Sequence, residues 1–195
     1  MSEHNERTSE YKVDNIFINR WSPRAMSGEE ITEEELFSLF EAARWAPSSH
    51  NNQPWRFVYA KRDTEYWKKL FNFLVEGNQA WVKNAAAVVV AISKSVSDYN
   101  GSFIRTHSFD TGAAWENIAL QGSLNGLVVH GMSGLDYDKA TSGLGLTDEF
   151  KVEMMFAVGK PGKIEELPEK LQEIEKPSGR KNISEFISEG EFNFS

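Results

Sequence analysis

Residues 45–55 read Trp45-Ala46-Pro47-Ser48-Ser49-His50-Asn51-Asn52-Gln53-Pro54-Trp55. Helical spacing of apolar residues stops just before this stretch, and a strand pattern starts inside it. Pro47 and Pro54 lack an N–H and restrict the residue before them, so no helix continues through. The stretch is therefore a turn. It sets serine and amide side chains beside two tryptophans, a mixture suited to a polar, planar ligand.

Upstream, Thr32-Glu33-Glu34-Glu35 is a capping box, with Thr32 as N-cap and Glu35 reaching back. Leu36, Leu39, Phe40 and Ala43 recur at helical spacing, so a helix is predicted to about Trp45. Before it lie a short apolar patch at 16–18 and Arg20-Trp21-Ser22-Pro23-Arg24. Downstream, Trp55 to Ala60 alternates as a strand does. Asp63 is read as the cap of a second helix, running to about Val75 with Trp67, Leu70, Phe71 and Leu74 on its buried side. Ala85 to Ile92 is an unbroken apolar run rich in valine, fitting a strand covered on both faces. A long polar connection spans 93–107, a candidate lid. A helix follows to about Leu124, stopped by Asn125-Gly126. Short strands are expected at 127–130 and 153–159, with Asp136 and Thr147 as caps of small helices between them. The tail from Ile183 carries Phe186, Phe192 and Phe194. Residues 1–14 read as a loose arm, and 15–195 as one domain that includes the tail. The mixed pattern places helices around a central sheet.

Composition narrows the function classes. A chain of 195 residues with 40% hydrophobic and 12% aromatic content builds a real core. Its net charge of −8 leaves no basic stripe for nucleic acid or an anionic membrane. Cysteine is absent, which removes disulfides, thiolate metal sites and a cysteine nucleophile. Met1 to Glu10 is polar and lacks the apolar core of a signal peptide, and the longest strongly apolar run is far below the roughly 20 residues of a membrane span. The expectation is a soluble, cytoplasmic protein. The four histidines show no ligand spacing; His4, His107 and His130 read as ordinary surface or core residues, and no metal site is expected.

Three groups carry candidate chemistry. Arg20, Ser22 and Arg24 offer guanidinium and hydroxyl donors for a phosphate. Ser48, Ser49, Asn51 and Asn52 offer donors and acceptors on the turn, or simply close it through an Asx bond. Gly179-Arg180-Lys181 is a second basic group near the other end of the chain. The order Arg-x-Ser-x-Arg, then Ala-Pro-Ser-Ser-x-Asn-x-Gln-Pro-Trp, then Asn78 before a buried valine-rich strand, resembles the FMN-dependent nitroreductase family. The helix from Asp110 to Gln121, Gly126-Leu127, Val158-Gly159-Lys160-Pro161 and the late Gly-Arg-Lys agree with it. The resemblance spans Phe17 to Phe192.

That resemblance implies an α+β fold with a central, mainly antiparallel sheet, in an intertwined homodimer whose C-terminal extensions embrace the partner. It implies FMN at the dimer interface. Arg20, Trp21 and Ser22 would meet its phosphate and ribityl chain, and Arg180 its phosphate. Asn78 would sit near the isoalloxazine edge. Ser133 and Gly134 would cover the ring near N5, where a glycine lets the backbone approach closely. Pro47, Ser48, Ser49 and Asn51 would come from the other subunit. His50 would face the active-site mouth, and residues near Trp81 and the 93–107 loop would shape an acceptor pocket. The implied reaction carries hydride from NADH or NADPH through the flavin to a nitroaromatic, quinone or related small acceptor, by a ping-pong route and with no catalytic side-chain dyad. The same fold also implies two rivals: another flavin chemistry, of oxidase, dehalogenase or flavin-fragmenting type, and an FMN-binding protein without turnover. Trp21, Ser178 and Ser133 depart from residues frequent in the family, which bears on substrate more than on cofactor.

Overall fold

A computed structural model describes residues 7–194. Its helices are α1 (Asn15–Asn19), α2 (Glu33–Arg44), α3 (Trp67–Phe71), α4 (Glu76–Val82), α5 (His107–Leu124), α6 (Tyr137–Leu144) and α7 (Glu169–Gln172). Its strands are β1 (Trp55–Lys61), β2 (Ala87–Lys94), β3 (Val128–Met132) and β4 (Phe150–Gly159). They form one sheet in the order β1-β2-β4-β3, with antiparallel pairing throughout.

The valine-rich run explains the layering. Along β2 the side chains alternate between faces. Val88, Val90 and Ile92 enter a core with Leu70, Phe73, Trp81, Met155 and Ala157. Ala87, Val89 and Ala91 enter a second core with Leu36, Leu39, Ala43, Ala114, Ile118 and Phe156. So α2 and α5 cover one face, and α3 and α4 the other. Both faces are dry, and each fully buried valine contributes roughly 1.5–3 kcal/mol. An antiparallel strand usually faces water on one side; here helices on both sides make it continuously apolar.

Between β2 and β4 the register jumps. Ala91 pairs with Met154, but Ile92 pairs with Val152, leaving Glu153 as the extra residue of a β-bulge. This acid inside an apolar strand is thereby turned toward a polar cluster described below.

Local chemistry set several ends as expected. Thr32 and Glu35 form both halves of the capping box on α2. Asp136 caps α6, accepting from the Lys139 N–H at 2.9 Å. Gly126, just past α5, takes φ +71°, open to glycine at no steric cost. Other expectations fail. Asp63 caps nothing: it lies in the turn after β1 at φ +66°, and α3 starts at Trp67 without a side-chain cap. The single helix expected through Val75 is two short ones, because the chain turns at 72–75 to form α4. Thr147 begins no helix; its carbonyl accepts from the Phe150 N–H in a turn leading into β4. The apolar patch at 16–18 is helical, capped by Asp14.

Residues 1–6 of the expected arm, and His4 with them, lie outside the described residues. From Arg7 the chain runs beside its own far end: Arg7 Nε donates to the Ser178 carbonyl at 2.9 Å, and the Ile183 N–H donates to Glu10 Oε1 at 2.9 Å. Among the described residues no helix is long and apolar enough to cross a membrane.

Candidate functional site

The two basic groups, about 160 positions apart in sequence, are brought together by Arg7, which bonds the Arg20 and Ser178 carbonyls. α1 ends at Arg20, whose backbone turns extended and points the chain into Trp21-Ser22-Pro23. Arg20 Nη1 donates to Ser22 Oγ at 3.2 Å, and its Nε lies 3.9 Å from Glu116 Oε1 on α5. Trp21 and Ser22 are half-buried. Arg180 is exposed and folds its guanidinium over its own loop, donating to the Gly179 carbonyl at 2.9 Å and to Ser178 Oγ at 3.2 Å. Arg7 lies between them. Its affinity for the proton is reduced, first by burial and then by the positive charges of Arg180 and Arg20. Three guanidinium groups thus share one corner of a strongly acidic chain.

The segment leading to Arg180 is held down by Glu175. This carboxylate is buried and accepts from the N–H groups of Arg24 and Ala25, the latter at 2.9 Å, with Arg24 Nη1 at 3.4 Å. Nearby, His130 on β3 places Nδ1 2.9 Å from the Pro23 carbonyl, so that nitrogen carries the proton. Its ring packs on Trp81 of α4 at 4.6 Å. Burial lowers the His130 pKa, outweighing its carbonyl partner, so the ring is neutral near pH 7. Trp81 itself is a core residue, 2% exposed, and offers no surface to an acceptor pocket.

The same α4 carries Asn78. Its Nδ2 donates to the Gly134 carbonyl at 2.9 Å, and the Val75 N–H donates to that oxygen at 3.2 Å. A Cβ at Gly134 would lie 2.6 Å from Asn78 Nδ2, so a larger residue there would push the Asn78 amide from its place. Ser133 is exposed at the end of β3. The Arg20 corner and the Asn78–Gly134 pair therefore flank one element, edge strand β3, linked through the Pro23–His130–Trp81 contact.

The 47–53 turn stands elsewhere. His50, Asn51 and Gln53 take φ of +50°, +55° and +47°, a coiled backbone that amide residues tolerate better than most. Ser48 Oγ accepts from the Gln53 N–H at 3.0 Å, and Asn52 Nδ2 donates to the Ser49 carbonyl at 2.6 Å. Buried Asp110, in the first turn of α5, accepts from the Ser49 N–H at 3.1 Å and from Thr106 Oγ1 at 2.9 Å. Ser97 Oγ donates to Asn52 Oδ1 at 2.8 Å, tying in the 93–107 loop. Turn and loop enclose a cavity of about 470 Å³ whose lining includes His50, Asn52, Tyr99, Phe103 and Arg105. Pro47 and Asn51 face outward. Asp110 and Glu116 are six residues apart on α5, about 9 Å along its axis and about 120° around it. Within one chain the turn and the arginine corner therefore sit on different sides of that helix.

A further cluster has no counterpart in the sequence reading. Ser93 Oγ donates to Glu153 Oε1 at 2.6 Å and lies 2.7 Å from His107 Nδ1. A hydroxyl has one proton, so His107 must donate to Ser93. Ser108 Oγ also donates to Glu153 Oε1, at 2.5 Å, and Lys151 Nζ lies 3.4 Å away. Burial pushes the Glu153 pKa up, but the hydroxyls of Ser108 and Ser93 and the charge of Lys151 outweigh it, and the net shift is downward. His107 is thus no bystander. The one signal in the sequence was an acid inside the apolar run 152–158. Nothing local marked Arg7, and Asp110 looked like any acid at a helix start. Among the described residues no cluster of metal ligands exists.

Comparison with known proteins places this architecture. The profile of the Nitroreductase family matches residues 18–80. A crystal structure of an FMN-containing oxidoreductase superposes with a TM-score of 0.93 at 43% identity, covering 100% of both chains. A Rhodopseudomonas palustris protein, named provisionally as an NADH dehydrogenase/NAD(P)H nitroreductase, is 27% identical over 143 residues, 64% of this chain and 72% of that protein. A provisionally assigned nitroreductase from Desulfovibrio desulfuricans, solved in complex with FMN, superposes with a TM-score of 0.70 at 21% identity, covering 92% of this chain and 96% of that one. At that identity the likeness concerns the fold. The chain belongs to the nitroreductase family, and its fold is the α+β fold of that family.

Proposed function

We propose that the chain is an FMN-dependent NAD(P)H oxidoreductase of the nitroreductase type, working as a homodimer. The observation that carries the reading is the meeting of Arg20 and Arg180 around Arg7. Guanidinium groups gathered at one corner favour an anion, and a phosphate dianion with a guanidinium fork is a strong pairing.

The donor set fits FMN. Arg20, Ser22 and Arg180 would hold the phosphate, with Trp21 beside the ribityl chain. Asn78 spends one N–H on Gly134, which leaves its carbonyl oxygen and second N–H for the polar edge of a flavin ring. Ser133 and Gly134 follow β3 beside it and would cover the ring. When bound, FMN supplies the redox chemistry, accepting hydride from NADH or NADPH and passing it to a nitroaromatic, quinone or related acceptor in ping-pong turnover. The chain's residues bind and orient; no side chain here is asked to move a proton.

The homodimer accounts for what one chain leaves open. Pro47, Ser48, Ser49 and Asn51 lie away from the arginine corner, so the turn of a second copy would complete the site. Phe109 on α5 is 81% exposed and Phe192 in the tail 85%, with Phe17, Leu124 and Phe186 also exposed. Large apolar groups in such number mark a surface that a partner covers.

Purified protein should carry a flavin spectrum, or gain one with FMN. NADH or NADPH should bleach it without oxygen, and a quinone or nitroaromatic should restore it. Protein that stays colourless with FMN present overturns the reading. Bleached protein that only oxygen restores would favour an oxidase.

A further inference from the structure

Arg20 and Arg180 belong to loops that nothing in the sequence obliges to meet, and Arg7 bonds to both. Its Nη1 donates to the Ile18 carbonyl at 3.0 Å and the Arg20 carbonyl at 2.9 Å. Its Nε donates to the Ser178 carbonyl at 2.9 Å, two residues before Arg180. One planar fork therefore spans the end of α1 and the 178–180 loop. Glu10, three residues on, accepts from the Ile183 N–H and extends the seam.

These bonds are charge-assisted, and the rigid guanidinium sets the spacing of its acceptors. Lysine has the charge but not the fork. The bonds also concern backbone carbonyls, so they act on where the two loops lie. We propose that Arg7 is a positioning residue for the phosphate end of the cofactor site, clasping the α1 terminus to the 178–180 loop so that Arg20 and Arg180 face one dianion. The charges of Arg20 and Arg180 oppose this clasp when no anion is present, and an anion between them relieves the opposition. Clasp and phosphate are thereby coupled: each stabilises the arrangement the other needs. The proposal rests on the FMN reading for the identity of the anion, but not for the clasp.

The test separates the two. Apoprotein, Arg7→Ala and Arg7→Lys are titrated with FMN and with riboflavin, which lacks the phosphate. Hydrogen exchange at 178–183 is followed in the same proteins without ligand. Losing the clasp should weaken FMN binding by about 10- to 100-fold in Arg7→Ala, from lost bonds to a charged group. Arg7→Lys should recover only part of it, riboflavin affinity should stay within about twofold, and exchange at 178–183 should quicken in both variants. FMN affinity unchanged in Arg7→Ala overturns the proposal, as does a riboflavin loss equal to the FMN loss. Full recovery in Arg7→Lys overturns the clasp in favour of bare charge. Should the wild type bind no FMN, the function reading falls, and exchange at 178–183 still decides the clasp: unchanged rates in both variants refute it.

Discussion

Arg7, Arg20 and Arg180 gather like charges at the protein surface, whereas Ser93, His107, Ser108 and Glu153 gather complementary groups behind it. In the second cluster each donor meets an acceptor: two hydroxyls and a lysine serve one carboxylate, and an imidazole N–H serves one hydroxyl. It is complete as it stands, and it pins the end of β2, the start of α5 and the β4 bulge to each other. The arginine corner instead sets like charges side by side. Glu116 approaches Arg20 at 3.9 Å from a half-exposed position, where an ion pair is worth little. A satisfied network is architecture; an excess of one charge is an invitation. Composition alone does not separate the two, since both are clusters of polar side chains.

Substitutions can break that contrast. Arg20→Ala should weaken FMN binding by about 100-fold, through loss of a bidentate donor to phosphate, while the melting temperature of the apoprotein holds or rises because like-charge repulsion is relieved. Flavin titration and calorimetry read the two sides. A fall in apoprotein stability that matches the fall in affinity would make the corner architecture after all.

Glu153→Ala should do the reverse. It strands the hydroxyls of Ser93 and Ser108 and should cost about 2–3 kcal/mol in urea unfolding, with FMN affinity in the folded protein moved by less than about threefold. A large change in affinity at constant stability would assign Glu153 to the ligand.

Asp110→Ala should have a smaller effect on stability, about 1–2 kcal/mol, because the Ser49 N–H and Thr106 hydroxyl lose their acceptor. Limited proteolysis should show faster cutting at 47–53. The arginine corner should keep its response to inorganic phosphate, since it lies on another side of α5.

The smallest effect is on pH. Glu153 has a folded pKa below its ordinary value of 4.5, so its ionised form favours the fold. That contribution is complete above the unfolded value and is lost as the pH falls through the folded one. Unfolding free energy measured from pH 6 downward, in wild type and Glu153→Gln, should converge at the acid end; parallel curves would deny Glu153 any part in acid stability.

Much of this was present in the chain before folding. The 85–92 run points to the central strand because eight apolar residues in a row, rich in valine, fit a strand covered on both sides. Thr32 and Glu35 mark the start of α2 because a capping box needs only residues three apart. The proline-flanked turn and the two basic groups single out the candidate site, since such chemistry is carried by residue type and order. The errors are equally local. Asp63 looked like a cap, but the chain needed a left-handed turn there, and the packing of Phe73 and Leu74 into the sheet split one expected helix in two.

What folding alone decided is who meets whom. No rule of spacing brings residue 7 to residue 178, puts an acid of β4 on a bulge facing a serine of β2, or lays the Ser49 N–H on Asp110. Local periodicity records which way a side chain turns relative to its neighbours in sequence. It holds no record of long-range contacts, which are paid for by the burial of two cores and fixed by their shape. The residues of the candidate site were in the sequence; the contacts of Arg7 with the Arg20 and Ser178 carbonyls came from packing.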